Sequence, residues 1–217
     1  MELGTMILSL GEGFLVTLQI FFYTLLGALP LGVVVALGRM SKIKAVALVF
    51  RAFISIMRGT PLMLQLMFVY FAPYYILGIQ LSLEWKMGAT VVAFVLNYSA
   101  YFAEIYRSGI QSIPVGQYEA AQVLGYSRSQ TFFRIVFPQV IKRIVPAMGN
   151  EIIVLVKDTS LAFTIGVMEM FTTARAIVSA ESTLVAFAVA AVFYWLFTFF
   201  LEFVFSRIEK RLSYYHD

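Results

Sequence analysis

The chain has 217 residues, of which 61% are hydrophobic and only 13% charged, with a formal net charge of +4. Soluble domains are about one quarter charged, so this composition leaves too little polar surface to coat a water-soluble globule, and an all-α integral membrane protein is expected. There is no cysteine, and the one histidine is His216, which excludes disulfides, most metal sites and histidine-activated nucleophiles. No catalytic residue, metal site, chain-bound cofactor or nucleic-acid partner is therefore expected. The opening "MELGTMILSLGEG" lacks a basic leader, so no cleavable signal peptide is expected.

A span needs about 20 mostly apolar residues. In chain order, five are predicted within one transmembrane domain covering 1–217: roughly 13–38, 46–77, 87–110, 142–165 and 183–206. The second is interrupted by "MRGTP", Met57 to Pro61. The segment "MEMFTTARAIVSAES" between the fourth and fifth is polar enough to be read as exposed. Span five, with "FYWLFTFFLEFVF", reads as lipid-facing. Arg39, Lys42 and Lys44 follow span one, Arg107, Arg128, Arg134, Lys142 and Arg143 lie between spans three and four, and Arg207, Lys210 and Arg211 close the chain. Cytoplasmic loops collect Lys and Arg, so the N-terminus is expected outside and the C-terminus inside.

The main basic connection, 115–139, reads "VGQYEAAQVLGYSRSQTFFRIVFPQ". Gln117 to Leu124 has helix-forming composition. Gly125 supplies a positive-φ turn, Ser127 with Gln130 suits a capping box, and Pro138 ends the second helix or kinks the start of span four. Tyr118, Glu119 and Leu124 are left to face water or a partner. An interfacial amphipathic helix without a partner is the other reading.

Glu119, Ala120, Ala121, Gly125, Ile135 and Pro138 stand in the register Glu-Ala-Ala, three residues, Gly, nine residues, Ile-x-x-Pro. This resembles the EAA loop of permease subunits of ATP-binding-cassette importers. "FRAFISIMRGTPLMLQL", "YFAEIYRSGIQSIPVGQ" and "LVKDTSLAF" resemble its polar amino-acid branch, so the likeness covers nearly the whole chain. The resemblance implies a type I importer permease fold in the bacterial cytoplasmic (inner) membrane. It also implies a second permease subunit, either identical or a close paralogue, together with ATPase subunits that bind ATP and Mg and an extracytoplasmic solute-binding protein. The first helix of the loop would be the coupling helix docked on the ATPase, through Tyr118, Glu119, Ala120, Ala121, Leu124 and Gly125. This chain has no G-x-x-x-x-G-K-[ST] phosphate loop, which places hydrolysis elsewhere.

Ionisable groups inside spans usually face a bundle interior or a watery cavity. Asn97, Tyr101, Glu104 and Ser108 share one helical stripe. Glu151 and Asp158 share a face of span four, beside Lys157. A polar amino-acid path is expected here, with a lean toward basic substrates. Glu104 and Asp158 would meet an ammonium or cationic side chain, and Arg58, or N–H groups near Gly59 and Ser160, the α-carboxylate. Interhelical ties, such as Glu104 with a neighbouring arginine, are the competing reading. Unbroken helices would hold Glu104 and Asp158 on the order of 10 Å apart along the membrane normal. A channel or secondary transporter working without an ATPase is the alternative function. A membrane-embedded hydrolase is disfavoured, because no G-x-S-x-G elbow exists.

Overall fold

The computed structural model describes residues 2–212, so His216 lies outside the described residues. The described chain is helical. It runs α1 (Leu3–Arg39), α2 (Lys44–Gly59), α3 (Leu62–Leu77), α4 (Trp85–Gln111), α5 (Val115–Val123), α6 (Arg128–Thr131), a π-helical turn (Phe132–Val136), α7 (Phe137–Asp158), a 3-10 turn (Thr159–Ile165), α8 (Met170–Glu181) and α9 (Val185–Leu212).

Three described helices, α1, α4 and α9, are long and apolar enough to cross a membrane, and a fourth crossing exists if α2 and α3 form one broken span. The predicted segment 46–77 is not straight. α2 and α3 meet at 109°, because Pro61 has no N–H to continue the ladder and disfavours helical backbone at Thr60 (φ −123°, ψ 148°). α7 carries too many charges to qualify by composition, and it gains burial from neighbours through Val140, Ile144, Gly149, Ile152, Leu155 and Val156.

α1 and α4 form the spine. At 37 residues, α1 is about 55 Å long, well beyond the ~30 Å hydrocarbon layer. Its middle packs with α3, α4 and α7 around Phe21, Leu66, Phe94, Phe102 and Leu155. Its last turns meet α2 and α4 through Val35, Ala36, Ile54, Ala100 and Ala103. Its first turns meet α8 and α9 through Met6, Leu10, Met170, Ala174, Ala186 and Ala190. By contrast α9 turns Trp195, Phe199, Phe200 and Phe203 outward, as expected for contact with lipid or another subunit.

The segment read as an exposed linker is corrected: it folds as α8, with Met170 and Ala174 buried. Glu169, fully buried, caps this helix. Its carboxylate accepts from the Phe171 N–H (2.8 Å), the Thr172 N–H (2.7 Å) and the Thr172 hydroxyl (2.8 Å), and from the Tyr194 hydroxyl of α9 at 3.2 Å. The Met170 N–H donates to Thr17 Oγ1 of α1 at 3.3 Å. α1 approaches so closely that a Cβ on Gly13 would lie 2.9 Å from the Met170 Cα.

Candidate functional site

Two regions carry the unusual chemistry. The first is the connection 115–139. After α5, the Gly125 N–H bonds Gln122 O (3.0 Å) and the Tyr126 N–H bonds Ala121 O (3.0 Å), with Gly125 at φ +78°. This is a Schellman ending, which needs a left-handed residue that glycine supplies without Cβ strain. Ser127 then caps α6. Its Oγ accepts from the Gln130 N–H while Gln130 Oε1 accepts from the Ser127 N–H, the expected capping box. Pro138 does not end the helix. The N–H of Phe137 reaches back to Phe132 O, and the resulting π turn absorbs the proline and carries α6 into α7. On α5 only Ala121 is buried. Tyr118, Glu119 and Ala120 on the helix, then Leu124 and Gly125 just past it, all lie exposed, Val123 and Leu124 at 88% and 73%. Val115, Val123 and Leu124 thus present apolar side chains at the surface of this connection.

The second region lies where α4 faces the end of α2 and the end of α7. Asp158 Oδ2 accepts from the Tyr98 hydroxyl at 2.7 Å. The Tyr98 ring lies 6.2 Å from that of Tyr101, and the Arg58 guanidinium sits over the Tyr101 ring at 5.2 Å. Glu151 is within electrostatic reach of Arg58 and Asp158. Arg58, Tyr101, Glu151 and Asp158, together with Tyr98, which sequence reasoning missed, thus belong to one neighbourhood. Ser160 sits in the 3-10 turn with its hydroxyl donating to Lys157 O at 2.8 Å.

Asn97 and Glu104 are engaged otherwise. Asn97 is 4% exposed, and its Nδ2 donates to Met57 O and to Gln65 Oε1, both at 3.0 Å. Glu104 is gripped by Arg107, with Nε at 3.1 Å from both oxygens and Nη2 at 2.6 Å from Oε2, and Arg39 of α1 stands 3.9 Å away. Tyr98 and Glu104 are six residues apart on an unbroken helix, about 9 Å along its axis, so Asp158 and Glu104 occupy different levels. A cavity of about 280 Å³ opens between α4 and α7 beside Ser108, Ser112 and Arg143. Its lining does not include Asp158.

An all-helical membrane bundle with a broken span, a protruding capped connection and buried polar groups at helix ends is the form of a transporter subunit. Residues 28–214 match the family described as binding-protein-dependent transport system inner membrane component, and the chain belongs to that family. It is similar to the L-cystine transport system permease protein TcyB of Bacillus subtilis (strain 168), 36% identical over 95% of this chain and 87% of that one. It is also similar to the arginine transport system permease protein ArtQ of the same organism, 35% identical over 93% and 91%. Its fold matches the crystal structure of an amino acid ABC transporter with histidines at a TM-score of 0.85 and 33% identity, covering 94% of each chain. The chain is a multi-pass permease of the ATP-binding-cassette importer class, resident in the bacterial cytoplasmic membrane, and a transport subunit rather than an enzyme.

Proposed function

We propose that this chain is the permease of an ATP-driven importer of polar amino acids, with basic ones favoured. In this reading it works with a second permease subunit, ATPase subunits that bind ATP and Mg, and an extracytoplasmic binding protein that delivers the substrate. The N-terminus lies outside, and α5 lies on the cytoplasmic side, where its exposed face docks on the ATPase. α5 adjoins the π turn and α7, and α7, with Pro146 inside it, ends at Asp158, so a displacement of the docking helix is passed along α7 toward the substrate path.

The observation that carries the substrate reading is the neighbourhood of Asp158. Its carboxylate is held by Tyr98, and Glu151 and the Arg58 guanidinium, which lies over Tyr101, are among its charged neighbours. Asp158, supported by Glu151, takes the ammonium or a cationic side chain. Arg58 takes the α-carboxylate, with the N–H groups near Gly59 and Ser160 close by. Glu104, already matched by Arg107 and Arg39, stands on the same stripe nearer the basic end, where it would meet the substrate as it leaves. Asn97 supports the helix break. The relatives named for cystine and arginine are consistent with a polar amino-acid substrate. The test is uptake by the assembled complex in proteoliposomes, comparing L-arginine, L-glutamine and L-glutamate. Uptake without ATP, or a preference for the acidic substrate, overturns the proposal.

A further inference from the structure

The break between α2 and α3 removes hydrogen-bond donors from the last turn of α2. In an uninterrupted helix the N–H of residue 60 would bond Ile56 O and that of residue 61 would bond Met57 O. Thr60 leaves the helical conformation and residue 61 is proline, so both acceptors lose their partners. Each is recovered by a side chain. The Thr60 hydroxyl donates back to Ile56 O at 2.8 Å. Met57 O receives two donors from further away, Gln65 Nε2 of α3 and Asn97 Nδ2 of α4, both at 3.0 Å. Gln65 also donates to Thr60 O (3.1 Å) and Thr60 Oγ1 (2.7 Å), while its Oε1 accepts from Asn97. These partners fix the amide orientation of Gln65, since Met57 O and Thr60 O can only accept, and its two N–H hydrogens are shared among the three oxygens.

The residue after Met57 is Arg58, and the residue one turn after Asn97 is Tyr101, over which the Arg58 guanidinium lies. We infer that Gln65 and Asn97 form a clasp that sets the last turn of α2 on α4, and that this clasp positions Arg58 for the substrate's α-carboxylate. They are positioning residues acting through Arg58. The inference rests on the proposed reading of Arg58 as a substrate contact, and it adds Gln65, on a different helix from every residue so far placed on that path. Irregular backbone at membrane depth persists where it lines a watery cavity or where protein satisfies it. This clasp does so while leaving the guanidinium outside its own network.

A double-mutant cycle in the reconstituted complex tests this, with L-arginine and L-glutamine as probes and the binding protein in excess. Both probes carry the same α-carboxylate, so both should respond alike. Arg58→Gln is expected to raise half-saturation about tenfold, the factor equivalent to about 1.4 kcal/mol. Gln65→Met, which keeps length but removes the donors, is expected to raise it comparably with the maximal rate within about twofold, and to add almost nothing in the Arg58→Gln background. If Gln65→Met lowers the yield of complex, Asn97→Ser removes the other donor to Met57 O and carries the same cycle. Additive effects, or a fall in maximal rate with half-saturation unchanged, overturn the clasp while leaving Arg58 as a contact. An Arg58→Gln variant with unaltered half-saturation overturns both.

Discussion

Asp158→Asn separates a substrate carboxylate from a packing one, because its cost to the fold is small and its cost to binding is not. The Tyr98 hydroxyl donates to Asp158 Oδ2 at 2.7 Å. Asparagine offers a neutral oxygen in the same place, so the bond survives without its charge-assisted part. With about 1.5–3 kcal/mol for bonds to charged groups and about 1 for neutral ones, the loss to the fold is about 1 kcal/mol. A substrate ammonium loses more, since the neutral amide still accepts a hydrogen bond but also turns an N–H toward the cation. Removal of that contact at about 1.5–3 kcal/mol weakens binding roughly tenfold to more than a hundredfold. The assay is ATP-driven uptake by the purified complex across concentrations of L-arginine, L-glutamine and L-glutamate, with thermal unfolding of the same preparation as control. Weakening confined to arginine places Asp158 at a cationic side chain, and equal weakening for all places it at the α-ammonium. Unchanged half-saturation for every substrate, with a lowered unfolding temperature, would show that Asp158 serves only to hold Tyr98.

Gly125→Val forces a β-branched residue into φ +78° at a cost of roughly 1–2 kcal/mol, and Glu119→Lys reverses charge on the exposed face of α5. Each should insert normally yet lose substrate-stimulated ATP hydrolysis, and normal transport in both would reduce α5 to a passive helix. Glu169→Ala removes a fully buried carboxylate and leaves the part-buried Phe171 and Thr172 N–H donors unanswered, and at about 1–3 kcal/mol per group the purified protein should lose at least about 2 kcal/mol, read as a lowered unfolding temperature. The chain has no cysteine, so single cysteines report cleanly: at Ser82 or Ser179 they should react with an impermeant thiol reagent from outside the cell, and at Ser129 only after permeabilisation. The reverse pattern would invert the orientation.

What the sequence made legible was local. The turn at Gly125, the capping box of Ser127 and Gln130, and the interruption at "MRGTP" each depend on residues within a few positions of one another, and each appears where spacing placed it. The pairing of Glu104 with Arg107 was also within reach, at three residues along one helix. Glu169 was not. Beside Arg175 and Glu181 it looks solvated, and its burial follows from α8 being held between α1, where the Met170 N–H meets Thr17, and α9, where Tyr194 meets Glu169. Gln65 was missed for a related reason. A single amide in an apolar run gives no pattern, and its value appears only once Pro61 is seen to strip Met57 O of a donor. The π turn escaped because proline at the start of a helix is compatible with an ending, a kink or a bulge, and tertiary contact through Val136 and Val140 selects among them.

The departures from regular helix fall at both ends of α7 and at the end of α2, and that placement constrains how motion passes through the subunit. α7 spans 22 residues, about 33 Å. It begins at a π turn that also touches α5, and it ends at a 3-10 turn that starts directly after Asp158. Pro146 inside α7 removes one i→i−4 hydrogen bond, so the helix has a point of weakness within it as well as at its irregular ends, where hydrogen-bond geometry is poorer. α2 differs, because its broken end is secured by Gln65 and Asn97. Both charges are tied to α4, Asp158 through Tyr98 and Arg58 through Asn97 and Tyr101, so a push on α5 that is carried along α7 would change their separation only by loosening the Tyr98–Asp158 bond. In the proposed scheme, a substrate held by its ammonium at one group and its carboxylate at the other is gripped only while the two stand at the right separation, and the same movement that opens the path loosens the grip.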